Sequence, residues 1–173
     1  NHGLRGREAD SDEQFVKGLC EKYSLPFYSK SVNIKELSEE LKVSCEEAGR
    51  IARYEFFYEL KQKLNADKIC TAHNKNDNVE TVLMRILRGT DISGLSGISS
   101  FNGNDVIRPV LCLLRSEIEE YLHCKGLDFV TDSTNAENDF TRNKIRNILI
   151  PLILNDYNNG FIDTFSSNIE LFK

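Results

Sequence analysis

Lys68-Ile69-Cys70-Thr71-Ala72-His73-Asn74-Lys75-Asn76-Asp77 is the stretch that decides the fold. Lys68 to Ala72 is short and mainly apolar, which fits a buried strand. Asn76 then opens a helix whose inward face carries Val79, Val82, Leu83, Ile86 and Leu87, and Gly89 suits its C-terminal cap. Helices alternating with short, two-sided apolar strands imply a parallel sheet with crossover helices. Ligands of such sheets bind beyond the carboxyl ends of the strands, which is where His73 sits. The helix start adds unpaired N–H groups and a positive dipole end, favourable for a phosphate or a reacting oxyanion.

Working outward, Ser11 with Gln14 reads as a capping box, with Phe15, Leu19 and Tyr23 as the apolar stripe behind it. Pro26 ends that helix, and Phe27 to Val32 reads as a strand. Asn33 with Glu36 caps a short helix. Ser44 with Glu47 caps a longer one to about Leu64, with Ala48, Ala52, Phe56, Leu60 and Leu64 on one face. Gly89 to Asp105 holds ten Gly, Ser or Asn in 17 residues and reads as a long loop. Val106 to Leu111 carries Pro109, which suits an edge strand. Ser116 with Glu119 caps a helix that Gly126 ends, and Asp132 to Asn135 is a turn cluster. Thr141 to about Leu154 is expected as a helix with Ile145, Ile148, Leu149 and Leu152 on one side. Pro151 should kink or end it. From Asn155 onward the chain reads as a linker.

The 173 residues are 40% hydrophobic and 28% charged, with mean hydropathy -0.40. That composition is globular, and no apolar run approaches the ~18 residues of a membrane span. The five cysteines (20, 45, 70, 112, 124) form no C-x-x-C pair, and reduced thiols are expected. A net charge of -5 excludes a generally basic surface, so any nucleic-acid contact needs a local patch. The opening Asn1-His2-Gly3 has no initiator Met and no signal-peptide pattern, and a piece of a longer protein is expected.

Spacing lets His73 and Asp77 converge, although Asp77 equally serves as a helix cap and His73 as a loop hydrogen-bond partner. A zinc site would need a third ligand that no motif offers, so no metal ligand is assigned. Asp77, Thr81, Arg85 and Arg88 form a polar stripe opposite the core, either a solvated face or a wall for an anionic ligand. Arg50 and Arg53 lie off the apolar face of their helix. Asn138 to Asn147 nets +2 through Arg142, Lys144 and Arg146, a patch that suits RNA phosphates or plain solvation. No G-x-x-x-x-G-K-[ST], G-x-G-x-x-G or G-x-S-x-G occurs.

Several ordered motifs resemble the tRNA(Ile)-lysidine synthetases of the PP-loop ATP pyrophosphatase superfamily. They are His2-Gly3-Leu4-Arg5-Gly6 with Ser11-Asp12, Glu47-Ala48-Gly49-Arg50-Ile51-Ala52-Arg53-Tyr54, and Thr71-Ala72-His73 with Asp77, Glu80 and Thr81. Arg85 to Thr90, Ile107-Arg108-Pro109, Asp132 to Asn135 and Thr141 to Arg146 continue the resemblance through Pro151. The S-G-G-x-D-S pyrophosphate loop of that superfamily does not occur here, which implies a catalytic chain beginning some tens of residues earlier. Asn74, Asn76 and Asn78 stand where relatives often carry His, Asp and Gln, and Asn76 removes a carboxylate a metal could use.

The resemblance implies an adenine nucleotide alpha hydrolase-like fold: a Rossmann-like parallel sheet flanked by helices, with a small helical appendage. The expected division is a partial nucleotide-binding domain at 1–112, a helical extension at 113–155 and a linker at 156–173. The implied reaction adenylates the 2-position carbonyl oxygen of a wobble cytidine with ATP, and the amine of lysine then displaces AMP. The cofactors implied are ATP and Mg²⁺. The implied partners are free L-lysine and an isoleucine tRNA with a CAU anticodon, in the cytoplasm, without a membrane; a homodimer is one possible assembly. By resemblance His73 and Asp77 are catalytic, and His2, Arg5 and Arg85 bind the nucleotide. Arg50, Arg53, Arg88, Asp132 and Asn135 face the substrate or tRNA, and the group Arg142, Asn143 and Arg146 faces the tRNA or braces the site. Competing expectations are a related PP-loop enzyme that thiolates a tRNA base and a noncatalytic RNA- or protein-binding module. The first commonly uses a C-x-x-C pair, which this sequence does not contain.

Overall fold

A computed structural model describes residues 1, 7–103, 105–130 and 141–173. The expectations for His2, Arg5, Asp132 and Asn135 lie outside the described residues. The chain divides into two compact units, Asn1–Asp67 and Lys68–Lys173. The boundary expected after residue 112 is therefore displaced to 67. The reason is pairing: the segment at 106–107 hydrogen-bonds to the strand at 69–70, and the helices after residue 141 pack on the helix that follows that strand.

The first unit holds α1 (Arg7–Lys22), α2 (Ile34–Leu41) and α3 (Cys45–Lys63). Helix α1 begins a turn before the expected Ser11 cap. The Asn33 and Ser44 side chains accept the N–H groups of Glu36 and Glu47, so both expected caps are present. Ile34, Ala48 and Ala52 are buried together, with Val32, Leu37 and Val43 against them. Leu64, expected on the same face, is exposed. Among the described residues Phe27 to Val32 pairs with Asn1, whose nitrogen donates to Lys30 O and whose carbonyl oxygen accepts the Val32 N–H, both at 2.9 Å. That is the parallel pattern, with Asn1 opposite Ser31.

In the second unit β1 (Ile69–Cys70) and β2 (Val106–Ile107) pair in parallel, in the register Ile69–Val106 and Cys70–Ile107. The parallel sheet is thus present, with β1 shorter than expected. Between the strands run α4 (Lys75–Arg88) and the short α5 (Ile92–Leu95), so the expected loop contains a helical turn. Then come α6 (Arg115–Cys124), α7 (Thr141–Lys144), a π-helical turn (Ile145–Leu149), α8 (Ile150–Asp156) and α9 (Phe161–Glu170). The core gathers Val79 and Val82 of α4 with Ile145, Ile150, Ile162 and Ile169. The expected linker is therefore largely helix, since Ile162 and Ile169 are two turns apart and bury one stripe of α9.

Two inward faces differ from expectation. On α4, Ile86 and Leu87 are exposed, because the apolar stripe leaves the core in the last turn. After Thr141, Ile145 and Ile150 are buried while Ile148 and Leu152 are 54% and 46% exposed. The helical run also passes through Pro151. The π turn before it uses the five-residue hydrogen bond from Ile150 N–H to Ile145 O.

Candidate active site

The α4 N-terminus is built by reciprocal capping. Asn74 Oδ1 accepts the Asp77 N–H and Asp77 Oδ2 accepts the Asn74 N–H, both at 3.0 Å. The helix therefore starts at Lys75, one residue before the expected Asn76. Asn76 Oδ1 instead accepts the Arg115 N–H at 3.0 Å and serves the start of α6. His73 lies half-buried between β1 and α4, the expected place, with its Nδ1 3.0 Å from Thr71 Oγ1. Lys75 joins Asp163 of α9 at 2.8 Å, which anchors the same turn from another side.

One turn on, Glu80 is 1% exposed. A carboxylate so buried is stable only if paired. Arg142 Nε donates to Glu80 Oε2 at 2.8 Å, and Arg146 donates from Nε to Oε1 at 2.6 Å and from Nη2 to Oε2 at 2.8 Å. Both guanidiniums also reach Asp77 Oδ1, at 3.1 and 3.2 Å. The hydrogen bond to Glu80 and the nearby carboxylate charges raise the Arg146 pKa above its ordinary value, against the opposing effect of burial. Two acids at i and i+3 on α4 thus meet two arginines at i and i+4 across the π turn.

This geometry corrects the reading of Arg142 and Arg146 as a free basic patch. Their donors point at carboxylates, because an unpaired buried Glu80 would cost more than solvating two arginines would return. Asn143 is half-buried on α7 and Lys144 is exposed. Asp77 is both cap and ion-pair partner. Glu80, quoted in the motif at 71–81 but given no role there, is a further functional candidate. The available signal was its i,i+3 spacing from Asp77, matched by the Arg142–Arg146 spacing.

Arg85 is likewise engaged elsewhere than expected. Its Nη1 donates to Gly94 O at 2.9 Å and Gly97 O at 3.0 Å, clamping the loop after α4. Buried Asn78 fastens the same loop, with Oδ1 accepting the Ile98 N–H at 2.6 Å. Gly97 sits at φ +68°, and a Cβ there would come 2.3 Å from that oxygen, so glycine is required. Arg88 is exposed in the last turn of α4, where the dipole favours it. Arg50 and Arg53 belong to the first unit. Arg50 is bidentate to Glu47 at 3.0 and 2.9 Å and lies over the Tyr54 ring, while Arg53 is exposed. That hydrogen-bonded pair lowers the Glu47 pKa and raises that of Arg50.

Comparison with known proteins follows the same outline. The PP-loop domain family matches residues 1–153. A tRNA(Ile)-lysidine synthase of Clostridium tetani is 46% identical over 99% of this chain, and one of Clostridioides difficile is 46% identical over 95%. One from Caldanaerobacter subterraneus subsp. tengcongensis is 48% identical over 88%. The chain spans only 37%, 36% and 32% of those relatives' lengths. A solved structure, the U34-tRNA thiolase NcsA from Methanococcus maripaludis with its 4Fe–4S cluster, matches with a TM-score of 0.72 at 17% identity. That match covers 99% of this chain and 60% of that one. At that identity it shows the fold.

Proposed function

Since the chain belongs to the PP-loop domain family, we propose that it is part of a tRNA(Ile)-lysidine synthase, an ATP-using carbon–nitrogen ligase. The observation that carries this reading is the 46% identity to the Clostridium tetani enzyme over 99% of the chain, a span that includes both halves of the carboxylate–guanidinium cluster. The substrates are ATP, free L-lysine and an isoleucine tRNA with a CAU anticodon, and the reaction belongs in the cytoplasm. Among the described residues no helix is long and apolar enough to cross a membrane.

The wobble-cytidine carbonyl oxygen is a poor leaving group. Transfer of AMP to it from ATP releases pyrophosphate and makes AMP the group that leaves. The lysine amine then attacks carbon 2, loses a proton and expels AMP. Positioning three substrates dominates such a reaction. Lysine carries an ammonium and a carboxylate, and the cluster offers both complements: Asp77 for the ammonium, the Arg142 and Arg146 guanidiniums for the carboxylate. His73, at the end of β1, is placed for proton or phosphate handling at the helix start. The described residues hold no group of three metal-ligating side chains, and no Mg²⁺ ligand is assigned among them.

Mass spectrometry of isoleucine tRNA incubated with the full-length protein, ATP and lysine tests the reading. The expected product is heavier by one lysine less one water at the wobble cytidine. Unmodified tRNA with all substrates present would refute it.

A further inference from the structure

We propose that the π turn at Ile145–Leu149 is a positioning device that phases Arg142 and Arg146 onto Glu80. Ile145 and Ile150 are buried in one core cluster although they are five residues apart. On an α-helix that spacing separates them by about 140°. In a turn closed by five-residue hydrogen bonds the separation falls to roughly 50°, so both reach the core. Ile150 N–H donates to Ile145 O in this way. Pro151 fits beside it, since it has no N–H to continue an α pattern and its ring would crowd the carbonyl four residues back.

The consequence falls on the arginines. Arg142 precedes Ile145 by three residues and Arg146 follows it directly, so the buried Ile145 fixes their direction. An unbroken α-helix anchored at Ile150 would rotate this segment by about 100°. Arg142 and Arg146 would then leave Glu80, their closest carboxylate partner at 2.8 and 2.6 Å. The added residue in the helix keeps core and cluster satisfied together. Pro151 and the exposed Ile148 act through the turn, and neither hydrogen-bonds to the cluster.

The inference rests on the lysine-site reading, so the test has a readout independent of activity. Two variants of the full-length enzyme are compared. In the first, deletion of Ile148 with Pro151→Ala restores a plain α-helix with Ile145 and Ile150 four residues apart, again on one face. In the second, one Ala is inserted between Ile148 and Leu149. Lysine incorporation into tRNA is measured beside the NMR signals of the Arg142 and Arg146 Nε–H groups, displaced by their bonds to Glu80 in the wild type. The deletion variant is expected to keep the displaced signals and turnover within about threefold, while the insertion variant loses the signals and more than about a hundredfold in turnover.

A deletion variant that loses the signals, or does not fold, overturns the proposal. An insertion variant that keeps both signals and turnover does so too. Should the insertion variant not fold, the deletion variant alone decides. Signals that follow phase in a protein that makes no lysidine would uphold the positioning role and remove the substrate assignment.

Discussion

Replacing Arg146 by alanine tests the cluster directly. Arg146 supplies two of the three N–H groups that reach Glu80 among the described residues, including the one on Oε1. Glu80 is 1% exposed, so water cannot readily take over. Breaking a buried pair by removing one partner costs about 3–5 kcal/mol. Arg142 keeps one bond to Oε2, which brings the expected loss to about 3 kcal/mol. The chain has no Trp, so unfolding is followed by far-UV circular dichroism in urea. With a slope of about 2 kcal/mol per molar, the midpoint should fall by about 1.5 M. Arg146→Met with Glu80→Leu should recover part of the loss, because no buried carboxylate is then left unpaired, while Arg142 loses its bond to Glu80 and keeps the one to Asp77. A midpoint change below about 0.3 M for Arg146→Ala is the size expected of an exposed ion pair and would refute this argument.

Other perturbations separate the remaining roles. Arg142→Ala with Arg146→Ala in the full-length protein should abolish lysine incorporation and leave the salt slope of tRNA binding unchanged; a slope lower by nearly two would place the pair on phosphates instead. His73→Ala should reduce turnover by about a hundredfold with little change in melting temperature, whereas Asp77→Ala should reduce both, because losing the cap alone costs about 1 kcal/mol. Glu47 has a lowered pKa in the folded chain, so its contribution is present above the ordinary carboxylate range and is lost as pH falls through the lowered value. Glu47→Gln should therefore lower stability slightly near neutrality and lose the decline below about pH 4.5, so that the two proteins converge in acid, as read from melting temperatures across pH. Arg85→Ala should speed hydrogen exchange in residues 92–98 without changing the KM for ATP; a raised KM with unchanged exchange would restore the nucleotide-binding expectation.

The strand–helix junction at 68–77 was legible because its signals are local: an apolar strand, a capping side chain and a helix period within ten residues. The caps at Asn33 and Ser44 were legible for the same reason. The arginine pair was not, since its partners are 62 and 66 residues away and a basic cluster looks alike whether it faces solvent or a buried acid. Glu80 was hidden because a glutamate on a helix is ordinarily exposed. Ile148 and Leu152 were misplaced by applying a 3.6-residue period across a turn that does not follow it. Asn76 and Arg85 looked like ligand-facing polar groups, and only tertiary packing shows that they secure backbone N–H and C=O groups of neighbouring segments.

The distance between Glu80 and its arginines also sets an order of events during synthesis. The peptide carrying α4 leaves the ribosome well before Arg142 and Arg146 are made. At about 5–20 residues per second, 62 to 66 residues correspond to roughly 3–13 s. Through that interval Asp77 and Glu80 are two acids on one helical face with neither guanidinium available. Burying that face early would strand both charges, so the nascent α4 stays solvated until the C-terminal helices arrive. The buried acid thus ties closure of the second unit to the synthesis of Arg142 and Arg146.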